Sequence, residues 1–440
     1  MVFNNKTTSI KMVSLFPILL VNFIGTLGFS IILPFLVVLV LKLGGNELIY
    51  GIMGATYSFF QLIGAPILGN WSDLYGRKKI LLLSQAGTFV AWILFVIALI
   101  LPVSKIVEID SSIVGVFTLT IPLLLLFVAR GLDGITGGNV SVANAYLADI
   151  TPEADRKKNF GKMAVSGNLG FIIGPALAGL LGATALGELL PVVVALCVSL
   201  IAIFVIGFML PESKPTKISD TVDEQKIKNV LGQEHKECYK LKSSEETGLK
   251  KILRIPHVTY FLIIYFLIFL AFNFFYVAFP VHAIKALEWD LFTLGIFFSL
   301  LGLILVIVEG PVLSRISHLF SDSQLILIGS VLLGNSFYLF MSHQNTQLFL
   351  AVVLFSAGNG LMWPSFLSLL SKVAGKVYQG AVQGFAGSAG SLASIIGLIS
   401  GGLIYAQIGS ATFFIPGSLI LLIFVLSFRM VKIEKSIAVS

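Results

Sequence analysis

Long apolar runs, separated by short polar stretches, leave this chain very little choice of architecture. They fall near 12–41, 48–70, 79–101, 115–148, 161–183, 187–210, 257–283, 291–316, 323–342, 346–371, 379–406 and 410–431. A helix needs about 20 apolar residues to cross the hydrocarbon core of a bilayer, and these runs meet that length. They are continuous rather than alternating over about ten residues, which excludes the strands of a membrane barrel. Composition agrees: with 57% hydrophobic and only 12% charged residues, the chain has too little polar surface for a soluble globule. The expectation is an all-α integral membrane protein of twelve transmembrane helices.

The charges set its orientation. Lys6 and Lys11, then Arg77, Lys78 and Lys79, then Arg156, Lys157 and Lys158, the lysines of 214–251, Arg315, Lys372 and Lys376, and Arg429, Lys432 and Lys435 all fall on one side. That side is read as cytoplasmic, with both termini on it. The other side carries Lys42, Lys105 and Lys285 among the acids Glu47, Glu108, Asp110, Glu188, Glu288 and Asp290. A net charge of +7 is therefore an orientation signal, and no nucleic-acid partner is implied. The first run is too long for a signal peptide and lacks a small-residue cleavage pattern, so it is expected to be retained. Cys197 lies in an apolar run and Cys238 in a charged segment; two free thiols are expected, with no metal-ligand spacing and no cofactor.

Residues 211–256 are rich in Lys, Glu, Asp and Ser and too polar to bury a core, which marks a cytoplasmic linker. It separates 1–210 from 257–440, six runs from six, and the halves repeat. Gly64, Ala65, Pro66, Ile67 and Leu68 match Glu309, Gly310, Pro311, Val312 and Leu313 at a displacement of 245, and Gly161, Gly167, Gly174 and Gly179 match Gly384, Gly390, Gly397 and Gly402 at 223. The difference reflects a longer outer connection around 103–112 in the first half.

One short stretch needs explaining: GNWSDLYGRKK, residues 69–79. A tight turn between two spans needs Gly76, and the bases hold it on the cytoplasmic side. Asp73 works against that signal unless it has a partner. The stretch resembles the loop between the second and third spans of the major facilitator superfamily, with Gly69, Ser72, Asp73, Gly76, Arg77 and Lys78 in place, and Trp71 and Leu74 departing from the pattern. The second half keeps a remnant in which His318 falls at the place of Asp73 and Asp322 at that of Arg77, an inverted charge pattern. The resemblance implies that Asp73 faces the start of the eleventh span at Gln379, Gly380 and Ala381, where a helix dipole favours an anion, and that Arg77 reaches Asp149. The stretch is then a conformational latch formed by Gly69, Asp73, Gly76, Arg77 and Asp149; a plain orienting turn is the competing reading.

Further motifs narrow the resemblance. Arg130 and Gly134 match the family's fourth-span signature, and Gly170, Gly174, Pro175 and Gly179 match its fifth-span antiporter pattern, with Ala178 departing. Close packing of spans would also use such glycines. Together with Ala143, Asn144, Tyr146 and Asp149, these residues are most similar to the drug:proton antiporter branch, to which tetracycline exporters belong.

Ionisable groups deep in a span are costly and point to function. Arg130 and Asp133, three residues apart, share a helix face and neutralise each other. Asp133 is either a proton carrier poised by Arg130 or half of a structural ion pair, and Glu309 in the eighth span is a second candidate for proton coupling. The first span carries Asn22 and Gly25 where an acid would be expected for proton coupling. The resemblance implies a central cavity lined by the first, fourth, seventh and tenth spans, which nominates Asn22 and Phe29, Arg130 and Asp133, Asn273 and Tyr276, and Asn359 and Trp363 for contact with an amphipathic solute. The leading expectation is a monomeric secondary transporter of a cell membrane that exports small organic molecules against protons. An uptake carrier or uniporter of the same fold, for a sugar, an amino acid or a siderophore, is the alternative. A receptor or an enzyme fits less well, and no phosphate-binding loop suggests an ATP-driven pump.

Overall fold

The structure, a computed structural model, describes residues 14–111, 114–137, 139–151, 155–213 and 252–439. Lys6, Lys11, Cys238 and the lysines of 214–251 lie outside the described residues, as do the side chains of Asp73, Arg156, Lys157, Lys158, Lys376, Gln379, Gly380 and Ala381.

In the first half the spans are Phe16–Lys42, Glu47–Tyr75, Arg77–Ile100, the broken pair Ile121–Thr136 and Asn139–Ile150, Arg156–Gly182, and Leu189–Phe204 extended by a π-helical turn Val205–Met209. In the second half they are Val258–Lys285, then Leu291–Ile307 continued through a π-helical turn Val308–Val312 into Leu313–Ile316, then Asp322–Leu339, Asn345–Ile408 and Phe414–Val439. Asn345–Ile408 holds two spans, the tenth and eleventh, because Gly375 interrupts it at φ +67°. Counted in this way, the described residues make twelve helical passes. Eight helical runs are long and apolar enough to cross a membrane by length and composition, and the first span joins them when Phe16–Ile32 and Pro34–Lys42, bent by 42°, are taken together. The bend falls at Pro34, where an N–H is missing from the helical ladder.

One boundary differs from the sequence reading. The run beginning at 115 opens as a strand: Lys105–Ser111 pairs antiparallel with Gly115–Thr120, and the fourth span starts only at Ile121. Val116, Phe117, Thr118 and Thr120 have strand propensity, and a short apolar run cannot be assigned by periodicity alone. Tertiary bonds settle the matter. Thr118 N donates to Gly44 O at 2.7 Å, and the Thr120 hydroxyl donates to Leu43 O at 2.7 Å, so the hairpin is sewn to the turn between the first two spans. Asn46 caps the second span by accepting from Ile49 N, while its amide donates to Val114 O.

Glycine faces bring the spans together, because apolar burial drives no association in lipid and close backbone approach must replace it. A Cβ at Gly170 would come within 2.8 Å of Leu27 N in the first span. One at Gly179 would stand 3.0 Å from Leu291 O in the eighth. The fifth span is thus wedged between its own half and the other one. The second and eleventh spans make the other large contact between halves, where a Cβ at Gly402 would lie 2.5 Å from Glu47 O.

Candidate functional site

The polar centre is built from the third and fourth spans. Arg130 and Asp133 lie one turn apart, Nη1 to Oδ2 3.3 Å, with side chains only 6% and 16% exposed. The Thr88 hydroxyl donates to the other carboxylate oxygen, Oδ1, at 3.0 Å. Each oxygen of Asp133 therefore has one donor, one charged and one neutral. The arginine is less well served: its Nε is buried without a hydrogen-bond partner, and its guanidinium lies 4.4 Å from the centre of the Tyr57 ring. Such a cation–π contact offsets part of the desolvation of the charge. Tyr57 is held in turn by Gln61, whose amide donates to its hydroxyl at 3.2 Å.

These groups open on a cavity of about 240 Å³. One water occupies ~30 Å³ in the liquid, so the space suits a small organic molecule. Its walls include Asn22, Phe29, Arg130 and Asp133 among the residues nominated from sequence, together with Tyr57, Phe171 and Trp92. Phe29 stands 5.5 Å from the Tyr57 ring and 6.0 Å from that of Phe171. Asn22 donates to Met163 O and to the Ser166 hydroxyl, both at 2.9 Å, tying the first span to the fifth.

The second-half nominees have other surroundings. Asn273 donates to the Ser394 hydroxyl at 2.9 Å, joining the seventh and eleventh spans. Trp363 packs against Tyr265, Phe269 and Phe366. The backbone oxygen of Tyr276 accepts from the Tyr50 hydroxyl across the two halves at 3.4 Å, and Asn359 Oδ1 is buried without a partner. None of the four lines the cavity around Asp133. Glu309, in the π-helical turn, accepts from Asn168 of the fifth span at 3.4 Å, which links the halves at a second acid.

Sequence reasoning passed over Thr88, Gln85 and Trp92. Their spacing carries the signal: positions 85, 88 and 92 mark one face of a helix, and Gln85 and Thr88 stand with Ser84 as the polar residues of the apolar stretch 80–100.

At the turn between the second and third spans, Gly76 adopts φ +101°, and a Cβ there would press on the Glu212 carboxylate at 2.7 Å. Only glycine meets both demands. Arg77 Nε donates to Asp149 Oδ2 at 3.0 Å and its Nη1 to the Ser72 hydroxyl at 2.6 Å, while Ser213 also donates to Asp149, at 3.1 Å. Glu212 accepts from Lys78 N at 3.1 Å. Residues 211–213, at the head of the expected linker, are therefore bonded into the first half, where Pro211 O accepts from Tyr146 as well. Gly69 has open space where a side chain would stand.

The second half repeats this arrangement with the charges exchanged. Asp322, at the start of the ninth span, accepts from Lys372 Nζ at 2.6 Å. Glu434 of the twelfth span accepts from Asp322 N at 3.2 Å and from Ser323 N at 2.9 Å. Lys372 stands 223 residues after Asp149, the displacement of the glycine repeat.

At the opposite end of the molecule, Lys285 of the seventh span reaches Glu47 of the second at 2.5 Å, a salt bridge between halves. Gly51 packs on the backbone of Leu398 and Gly295 on that of Pro175.

Two six-helix bundles that meet along two helix pairs, the first holding a buried ion pair beside a cavity, define a polytopic membrane carrier. Comparison with known proteins gives the lineage: the sequence model of the Major Facilitator Superfamily matches residues 18–385 and 310–438, and the chain belongs to that superfamily, whose members are transporters. It is 27% identical over 398 residues to the class E tetracycline resistance protein of Escherichia coli, covering 90% of this chain and 87% of that protein. It is 28% identical over 394 residues to multidrug resistance protein 1 of Bacillus subtilis (strain 168), covering 88% and 87%. Among solved structures it resembles the human organic anion transporter MFSD10 (TETRAN), with TM-score 0.65 and 21% identity over 94% of this chain and 98% of that one. The inward open conformation of the xylose transporter XylE from E. coli gives TM-score 0.70 at 16% identity, over 94% and 96%. At those identities the two structures speak for the fold alone.

Proposed function

We propose that this protein is a secondary transporter that exports small amphipathic organic solutes in exchange for protons, with its two halves rocking against each other and the solute held in the cavity of the first half. The observation that carries the reading is the Arg130–Asp133 pair, buried in a span and open to an aromatic-walled cavity. A carboxylate at that depth is stable charged only while its partners hold it, and a proton or a solute that alters those partners links the two events. The names of the tetracycline and multidrug resistance relatives support export of organic solutes. In this reading protons load at Asp133, Glu309 is a second relay, and the protein acts as a monomer in the cell membrane with both termini in the cytoplasm.

In this reading the contacts between halves at Glu47, Gly51, Gly179 and Lys285 hold the outer side closed. The network of Gly69, Asp73, Gly76, Arg77 and Asp149 is the latch that favours the opposite state. Asp73→Asn is expected to cut turnover strongly while membrane abundance stays near that of the parent; a parallel fall in abundance would favour the orienting turn.

The deciding experiment uses inside-out vesicles with an imposed pH gradient and a panel of organic dyes and antibiotics. Asp133→Asn is expected to abolish accumulation against a gradient and to leave downhill exchange measurable. Uphill transport by Asp133→Asn at the parental rate excludes the proton role. Glu309→Gln is tested beside it, and loss of coupling in neither variant leaves a uniporter.

A further inference from the structure

The cavity does not end at the Arg130–Asp133 pair. Within the first half, which supplies all of its lining, it also reaches between the third and sixth spans, where Gln85, Trp92, Ala195 and Ser199 line it. Gln85 is only 3% exposed, a polar group at a depth where such residues tie helices, border space, or do both. Its amide nitrogen donates to the Ser199 hydroxyl at 2.7 Å, which ties the third span to the sixth. Its carbonyl oxygen makes no hydrogen bond among the described residues, although it is not among the fully enclosed unpaired atoms. An acceptor that borders the cavity is thus left open to a donor that enters it. Trp92, 4% exposed and 5.3 Å from the Phe95 ring, forms a flat wall beside it.

We propose that this inner chamber is the specificity pocket of the substrate site, and that it takes a neutral aromatic group bearing a hydrogen-bond donor, such as a phenolic hydroxyl or an amide N–H. Gln85 accepts from that donor, Ser199 positions Gln85, and Trp92 stacks on the ring. Neutrality follows from the charges in view. While Asp133 is ionised it already has Arg130 and Thr88, so in that state a further ion carried past them would be buried with no counter-charge. The proposal rests on the reading of the cavity as the substrate site and adds which span chooses the substrate. The third span, rather than the second half, does so.

The test is equilibrium dialysis of the purified full-length protein against hydroxycoumarin and against its methyl ether, methoxycoumarin, at a pH where the hydroxyl is neutral. The parent is expected to prefer the hydroxyl compound. Gln85→Leu should weaken hydroxycoumarin by about tenfold, the effect of one neutral hydrogen bond, and leave methoxycoumarin within about twofold. Trp92→Leu should weaken both compounds alike. Should Gln85→Leu fail to fold, Ser199→Ala carries the same test, because release of the amide is expected to reduce the hydroxyl preference. Equal binding changes for the two compounds in both the Gln85 and Ser199 variants, or no change in either, overturn the proposal while the cavity reading stands. Failure of the parent to bind either compound overturns both.

Discussion

The two halves share a plan of six helices but fill it differently. The first is hollow and polar at its centre, with Arg130, Asp133, Thr88, Gln85 and Tyr57 around a cavity. In the corresponding region of the second half Phe275 lies within 6 Å of the rings of Phe279, Phe337, Phe340 and Phe355, at 5.3, 5.6, 4.9 and 4.9 Å. Such clusters lose contact energy when any member is removed, whereas a polar cavity tolerates truncation of its walls. The difference suggests a division of labour, in which one half handles solute and proton and the other is the firm body against which it moves.

The largest expected effect separates the halves directly. Phe275→Ala should lower stability by about 3–5 kcal/mol, the usual cost of emptying a packed aromatic site, with little change in substrate KM. Phe29→Ala should raise KM and cost less stability, because its ring already borders space. Thermal unfolding in detergent and initial transport rates read the two quantities, and a KM change in the Phe275 variant as large as that in the Phe29 variant would break the division of labour.

The charge-exchanged turns give a graded pair of effects. Arg77 and Asp149 have side chains only 10% and 15% exposed, so removal of one leaves a poorly solvated charge, at a cost of about 3 kcal/mol. Lys372 is 49% exposed and its pair with Asp322 is worth about 1 kcal/mol or less. Asp149→Asn should therefore impair the protein more than Lys372→Gln does. Exchange of both members, Arg77→Asp with Asp149→Arg, should recover part of what either single change loses, and the same holds for Asp322→Lys with Lys372→Asp. Abundance and turnover measured together show whether the two turns are equivalent; rescue in one half alone would mean that the inverted pattern serves different ends.

The smallest effect concerns the contact between the halves. Lys285 is 45% exposed, so Glu47→Gln should shift the balance of conformations by less than about fivefold, and less still at high salt. Single-molecule distance measurements between labels on the two outer rims would show it. A shift of a hundredfold would mean that this one pair, rather than the glycine packing around Gly179 and Gly402, holds that side shut.

The sequence by itself settled the architecture, because runs of apolar residues in a bilayer have only the helix open to them, and it settled the repeat, because both halves use glycine at equivalent places to bring helices together. It also put Arg130 and Asp133 on one face, which follows from helical spacing alone. It missed the hairpin at Lys105–Thr120, since alternating β-branched residues look apolar until Gly44 and Asn46 supply partners. Likewise Lys372 is one more base in a basic rim until the fold sets it beside Asp322. Which polar residues border space and which merely join helices was likewise decided only in three dimensions. Asn22 and Asn273 read alike in sequence and both tie neighbouring helices, yet Asn22 lines the cavity around Asp133 and Asn273 does not, because which spans surround that space depends on residues far away in the chain.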